Sequence, residues 1–119
     1  MSTLNVANIT DGTDTVETGY VVNGSAKAWC KFVGTGTATI NDSLNISSLD
    51  DNGTGQYDIN YTNNFSNGNS SVVGMSNWAG VCTADSYNAS YHLLKTRGGA
   101  STPLQDRGHI TTATFGDLA

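Results

Sequence analysis

Apolar and polar residues alternate with a two-residue period along most of this chain, and a helical period never persists beyond a turn or two. In TLNVANI at 3–9, Leu4 and Val6 stand two apart, which predicts a short strand. DGTD at 11–14 reads as a turn, and TVETGYVV at 15–22 as a second strand. NGS at 23–25 then breaks the chain. Residues 1–23 are therefore expected to form a β-arm that docks onto something else, with 24–119 as the main module.

The module continues the same alternation. In AKAWCKFV at 26–33, Ala28, Cys30 and Phe32 face one way, and Lys27, Trp29, Lys31 and Val33 the other, so neither face is cleanly polar. GTGT at 34–37 is a turn. Residues 38–49 carry Ile40, Leu44, Ile46 and Leu49 at mostly even spacing, with an irregularity expected near Asn41–Asp42. DDNGTG at 50–55 is the strongest local signal. Asn52-Gly53 supplies the positive φ angles of a tight turn, and Tyr57, Ile59 and Tyr61 alternate strictly on the returning strand, which predicts a hairpin over 44–62. Further strands are expected at 71–76, 89–97 and 109–115. Loops are expected at 63–70 and 98–108, and 77–89 has no clear period. The pattern predicts an all-β fold, a small antiparallel β-sandwich-like module.

Composition narrows the function. The net charge is −5, with five Lys or Arg in 119 residues. Nucleic-acid binding needs a basic patch to release phosphate counterions, so nucleic acid is not expected as a partner. Attraction to an anionic membrane is disfavoured for the same reason, and no apolar run is long enough to insert through a bilayer. Asn, Ser, Thr and Gly dominate, which favours short strands joined by tight turns over the charge-rich composition of disorder. The same richness generates nine Asn-x-Ser/Thr triplets by chance. The start of the chain has neither the basic region nor the apolar core of a signal peptide, so Cys30 and Cys82 are expected to be reduced and buried, although pairing stays open.

Several ordered motifs go further. GSAKAW at 24–29, Phe32, GTGT at 34–37, DSLNISSL at 42–49, DNGTGQY at 51–57, SVVG at 71–74 and ATFGD at 113–117 together resemble a module common in tail-fibre and other appendage proteins of tailed bacteriophages. The resemblance covers about half the chain and lies in the ordered spacing. Cys30 stands where that family usually has valine or another aliphatic residue, which hints at a core thiol. The module tends to close a longer fibre, whereas here only residues 1–23 precede it. The resemblance implies a homotrimer on the virion, often in contact with the host. It leads to a structural virion protein, a short fibre or knob on the tail, joined to other virion proteins through residues 1–23. A capsid-decorating fibre or cement protein and a stand-alone glycan-binding module are the alternatives.

No catalytic, cofactor-binding or metal site is expected. Asp50 and Asp51 are the only clustered acids, and beside Asn52-Gly53 they read as turn residues and not as a glycosidase pair. His92 and His109 lack a third ligand at suitable spacing. His109 opens the final strand, where a three-fold axis could gather three copies around a metal; a solvated or hydrogen-bonded histidine is the plainer reading. Trp78, Tyr87 and Tyr91 fall in the least regular region, and 77–108 is where receptor contact is expected. Aromatic faces stack on sugar rings, so these three residues are the candidates for contact with a host-surface glycan, against the alternative that they fill a core or subunit interface.

Overall fold

A computed structural model describes residues 1–119. Its first pairing is a short hairpin of β1 (Asn8–Thr10) against β2 (Thr15–Glu17), closed by the expected turn at 11–14, where Asp11 Oδ1 accepts from the amides of Thr13 and Asp14. The strand predicted over 15–22 ends at Glu17. From there the chain turns into α1 (Thr18–Gly24), a helix of seven residues. Thr18 anchors it, its amide and hydroxyl both bonded to the Ala7 carbonyl. Tyr20, Val21 and Val22 have strand-forming side chains, but no neighbouring strand offers them a ladder, and β-preference is chiefly a preference for such neighbours. The break falls at Ser25, just past the expected boundary at 23.

Eight strands follow: β3 (Ala28–Val33), β4 (Thr39–Leu44), β5 (Ile46–Gly53), β6 (Gln56–Tyr61), β7 (Ser71–Ser76), β8 (Val81–Tyr87), β9 (Tyr91–Arg97) and β10 (Ile110–Phe115). They form two four-stranded antiparallel sheets, a front sheet β4-β3-β10-β7 and a back sheet β5-β6-β9-β8. The protein is a small all-β sandwich with an N-terminal arm. The chain passes between sheets along both edges, from β4 to β5 and from β7 to β8.

The first crossing occurs at Asn45, which takes a left-handed φ of 57°. Its side chain brackets Asn63, accepting from the Asn63 amide at 2.7 Å and donating to the Asn63 carbonyl at 3.0 Å. A short polar side chain with a local partner tolerates this conformation. The even spacing over 38–49 is therefore split between two sheets. The irregularity near Asn41 is present: Lys31 pairs with Asp42 and Phe32 with Ile40, leaving Asn41 as the extra residue of a bulge.

Alternation places the core as expected. Cys30, Phe32, Tyr57, Ile59, Leu94 and Ile110 form the main cluster between the sheets. Phe65 joins Ala28 and Tyr61 in a second cluster, although it lies in the 63–70 loop. Polar groups share this interior. His92, fully buried, lies 2.8 Å through Nδ1 from the Tyr61 hydroxyl and 3.3 Å through Nε2 from the Thr112 hydroxyl. A neutral imidazole has one donor and one acceptor, which this pair of hydroxyls satisfies. Burial pushes its pKa down to about 4.

The β5–β6 hairpin is present, but its turn lies two residues beyond Asn52-Gly53. Gly53 pairs with Gln56, so Thr54 and Gly55 are the central residues, and Asn52 is the extra residue of a bulge. Gly53 does carry a positive φ, 124°, and Gly55 another, 64°. The two differ in surroundings. A Cβ on Gly53 would meet open space, whereas one on Gly55 would lie 2.6 Å from the Thr96 carbonyl oxygen and 2.7 Å from the Gln105 amide nitrogen. The tip must come that close because it is stitched to the loop between β9 and β10. The Gly55 amide donates to Asp106 Oδ1 at 2.7 Å, and the Gly55 carbonyl accepts from the Thr96 amide at 2.9 Å.

Candidate functional site

The loop that receives this tip also builds a cleft. Its 98–108 segment is held to β9 by the Gln105 amide on the Thr96 carbonyl and by the Thr96 hydroxyl on the Gln105 carbonyl. That fixes Asp106. Its Oδ1 accepts from the Gly55 amide and, at 2.8 Å, from the buried Tyr57 hydroxyl. Burial and the adjoining Asp106 carboxylate both drive the Tyr57 pKa upward, so the phenol remains a donor. The next residue, Arg107, donates to the Asn77 carbonyl and, at 3.2 Å, to Gln105 Oε1. Through these bonds the 98–108 loop is tied to the turn between β7 and β8.

Asn77, Trp78, Ala79, Gly98, Asp106, Arg107 and Gly108 line the resulting cleft, which holds about 450 Å³. Small-molecule sites span roughly 300–1,000 Å³. Only Trp78 and Ala79 are apolar. Trp78 stands on the rim at 88% exposure with a φ of 63°. A bulky aromatic residue in the left-handed region is a true outlier that costs about 1–3 kcal/mol. Beneath the turn, Arg107 Nε and Ser76 Oγ are buried without hydrogen-bond partners. An unsatisfied buried polar group costs about 1–3 kcal/mol. Strain and unpaired polarity thus coincide at this corner of the sandwich.

The three aromatic candidates do not form one platform. Trp78 precedes β8, whereas Tyr87 ends it and Tyr91 begins β9 across the Asn88–Ser90 turn. Six residue steps of strand, about 20 Å, separate the two ends. Tyr87 is exposed and Tyr91 half-buried. The partners that the structure gives Trp78 are instead Asn77, Asp106 and Arg107. Asp106 and Arg107 lie within the region flagged for receptor contact, but as single loop charges they carry no sequence signal. Only the β9–β10 topology brings them to Trp78.

The remaining candidates are accounted for locally. Asp51 Oδ1 accepts from the Gly53 amide at 3.0 Å, and Asp50 Oδ2 from the Asn60 side chain at 2.8 Å. His92 belongs to the interior network, and His109 is exposed at the entry to β10. Cys30 and Cys82 are both free thiols; burial pushes Cys30 up to about 11, which keeps it protonated and inert.

Two other surfaces are apolar and uncovered. On the outer face of the front sheet, Leu44, Trp29, Ala113 and Val73 stand opposite one another across four strands, with Met75 in the next row. Leu44, Val73 and Met75 are exposed. In the arm, Leu4, Val6, Ile9, Val21 and Val22 line a groove between the hairpin and the helix, and all are exposed. No residue of the arm is buried. An isolated hairpin is marginal in water, and a helix this short does not hold by itself. No protein-family model, curated protein or solved structure matches the chain.

Proposed function

We propose that this chain is a structural protein of a tailed-bacteriophage virion, a short trimeric fibre or knob on the tail that contacts the host surface. The observation that carries this reading is the division of labour along the chain. A sandwich with its own core follows an arm that buries nothing and presents an apolar groove. Such an arm gains its stability from what it docks against, which fits an anchor to other virion proteins. The apolar row Leu44–Trp29–Ala113–Val73 fits a contact between subunits. Its residues are of the type buried at oligomer interfaces, and the main core is modest for a chain of this size.

The motifs behind the phage-appendage resemblance coincide with the frame of the sandwich. GSAKAW leads into β3, GTGT is the β3–β4 turn, and DSLNISSL spans the crossing at Asn45. DNGTGQY makes the hairpin, and ATFGD closes β10. That is the behaviour of a scaffold module, and no reaction is assigned to it. A capsid-decorating fibre or cement protein rests on the same arm. The stand-alone glycan-binding reading draws on the cleft at Trp78. Locating a tagged copy of the protein as density on purified particles tests the proposal. Density at the tail tip or tail side supports it, density over the capsid shell favours decoration, and absence from particles rejects a virion role.

A further inference from the structure

We propose that the cleft between Asn77–Trp78 and Asp106–Arg107 binds a neutral hexose unit of a surface polysaccharide, with the sugar ring stacked on the Trp78 indole. The inference rests on the host-contact part of the reading above and assigns it to one site. Two residues of the chain other than glycine have positive φ, and they contrast. Both lie where the chain changes sheets, Asn45 between β4 and β5 and Trp78 between β7 and β8, but only Asn45 is held there by side-chain bonds, to Asn63. Trp78 has a bulkier side chain, makes no such bond, and is 88% exposed. Its side chain adds nothing to the core. The turn that carries the chain from β7 to β8 also holds this aromatic face open over the cleft, and strained conformations gather at ligand clamps.

The polar wall fits hydroxyls. Asp106 is oriented by the Gly55 amide and the Tyr57 hydroxyl on Oδ1, and its Oδ2 makes no hydrogen bond within the chain. Arg107 is oriented by the Asn77 carbonyl and Gln105 Oε1 and keeps further N–H groups free. Asn77 adds an amide side chain on the same wall. The cleft therefore offers an acceptor and donors, all fixed in advance by bonds to the scaffold, which lowers the entropic cost of binding. One carboxylate beside one guanidinium leaves no net charge, which disfavours an anionic sugar. With only Trp78 and Ala79 apolar, an apolar ligand would find a single wall. A hexopyranose has an apolar C–H face for the indole and equatorial hydroxyls for the polar groups.

The test uses the purified full chain with oligosaccharides of glucose, galactose and mannose. The matching uronic-acid oligomers and an uncharged peptide serve as competitors, and binding is read by saturation-transfer NMR and calorimetry. At least one neutral oligosaccharide is expected to bind, with Trp78→Ala weakening it about tenfold or more. Trp78→Gly is the sharper variant. It relieves the backbone strain, so it is expected to melt above the parent while losing the sugar. Failure of every neutral oligosaccharide to bind, unchanged affinity in Trp78→Ala, or preference for the uronic acid or the peptide would each overturn the assignment. If the sugar binds through Trp78 but the protein is absent from particles, the virion reading fails and the cleft stands. If the protein sits on particles and binds no neutral sugar, the cleft assignment fails alone.

Discussion

The arm and the sandwich are built from similar residues and reach opposite outcomes. Val21 and Val22 in the arm are as apolar as Ile59 and Ile110 in the sandwich, yet the first pair is exposed and the second pair wholly buried. Alternation explains the difference. In the sandwich each apolar position recurs every second residue and meets a facing sheet about 10 Å away. In the arm, Tyr20, Val21 and Val22 are consecutive, and neither a second sheet nor a neighbouring strand receives them. Burial, and with it stability, depends on having a partner layer and not on apolar content. Within the chain, the arm's apolar groove has no partner layer.

The largest effect should come from removing an inter-sheet contact. Phe32 is fully buried and meets the Tyr57 ring edge-on at 5.1 Å. Phe32→Ala is expected to cost about 3–5 kcal/mol in urea unfolding, whereas Val22→Ala in the arm should leave the transition unchanged. Equal losses at both positions would erase the distinction between the regions.

Next come the two glycines of the hairpin tip. Gly55→Val must displace the Thr96 and Gln105 backbone as well as strain φ, so a loss of about 3 kcal/mol or more is expected. Gly53→Val strains φ in open space and should cost about 1–3 kcal/mol. Thermal melting at matched concentration checks the ranking. A Gly53→Val protein less stable than Gly55→Val would show that the tip is not held against the 98–108 loop.

The buried histidine gives the sandwich a pH dependence that the arm, which has no histidine, lacks. In the unfolded chain His92 takes a proton near 6.5, and in the fold only near 4. Between those values the unfolded state binds more protons, so stability falls as pH drops through that window and levels off below it. The full effect is about 3 kcal/mol. His92→Gln should be less stable near neutrality but flatter across the window. An unchanged slope would mean that His92 is not the titrating group.

Much of the sandwich was legible because alternation is a local signal. Tyr57, Ile59 and Tyr61 announce β6, and Ile110, Thr112 and Thr114 announce the buried face of β10. What escaped is what depends on distant partners. Phe65 is a core residue that no periodicity marks, because it drops into the interior from a loop. Asn45 changes sheets within an evenly spaced run, since its left-handed turn is secured by Asn63, eighteen residues away. The helix at 18–24 was missed because a strand needs a neighbour that sequence does not reveal. At the candidate site, Trp78 was visible as an unexplained aromatic residue. Asp106 and Arg107 were not, because the hairpin tip at Gly55 and the turn at Asn77 fix them from other parts of the fold.

The smallest expected effect on stability belongs to the most decisive measurement. Residues 25–119 alone should melt almost as the full chain does, because the arm adds no buried residue to the core. On the proposed trimer they should also associate, since the contact assigned to subunit pairing lies on the front sheet. Both forms are then supplied to phage particles that lack the protein, and incorporation is measured. The full chain is expected to join the particles and the truncated, folded form is not. Normal incorporation of residues 25–119 would contradict the assignment of the arm as the anchor.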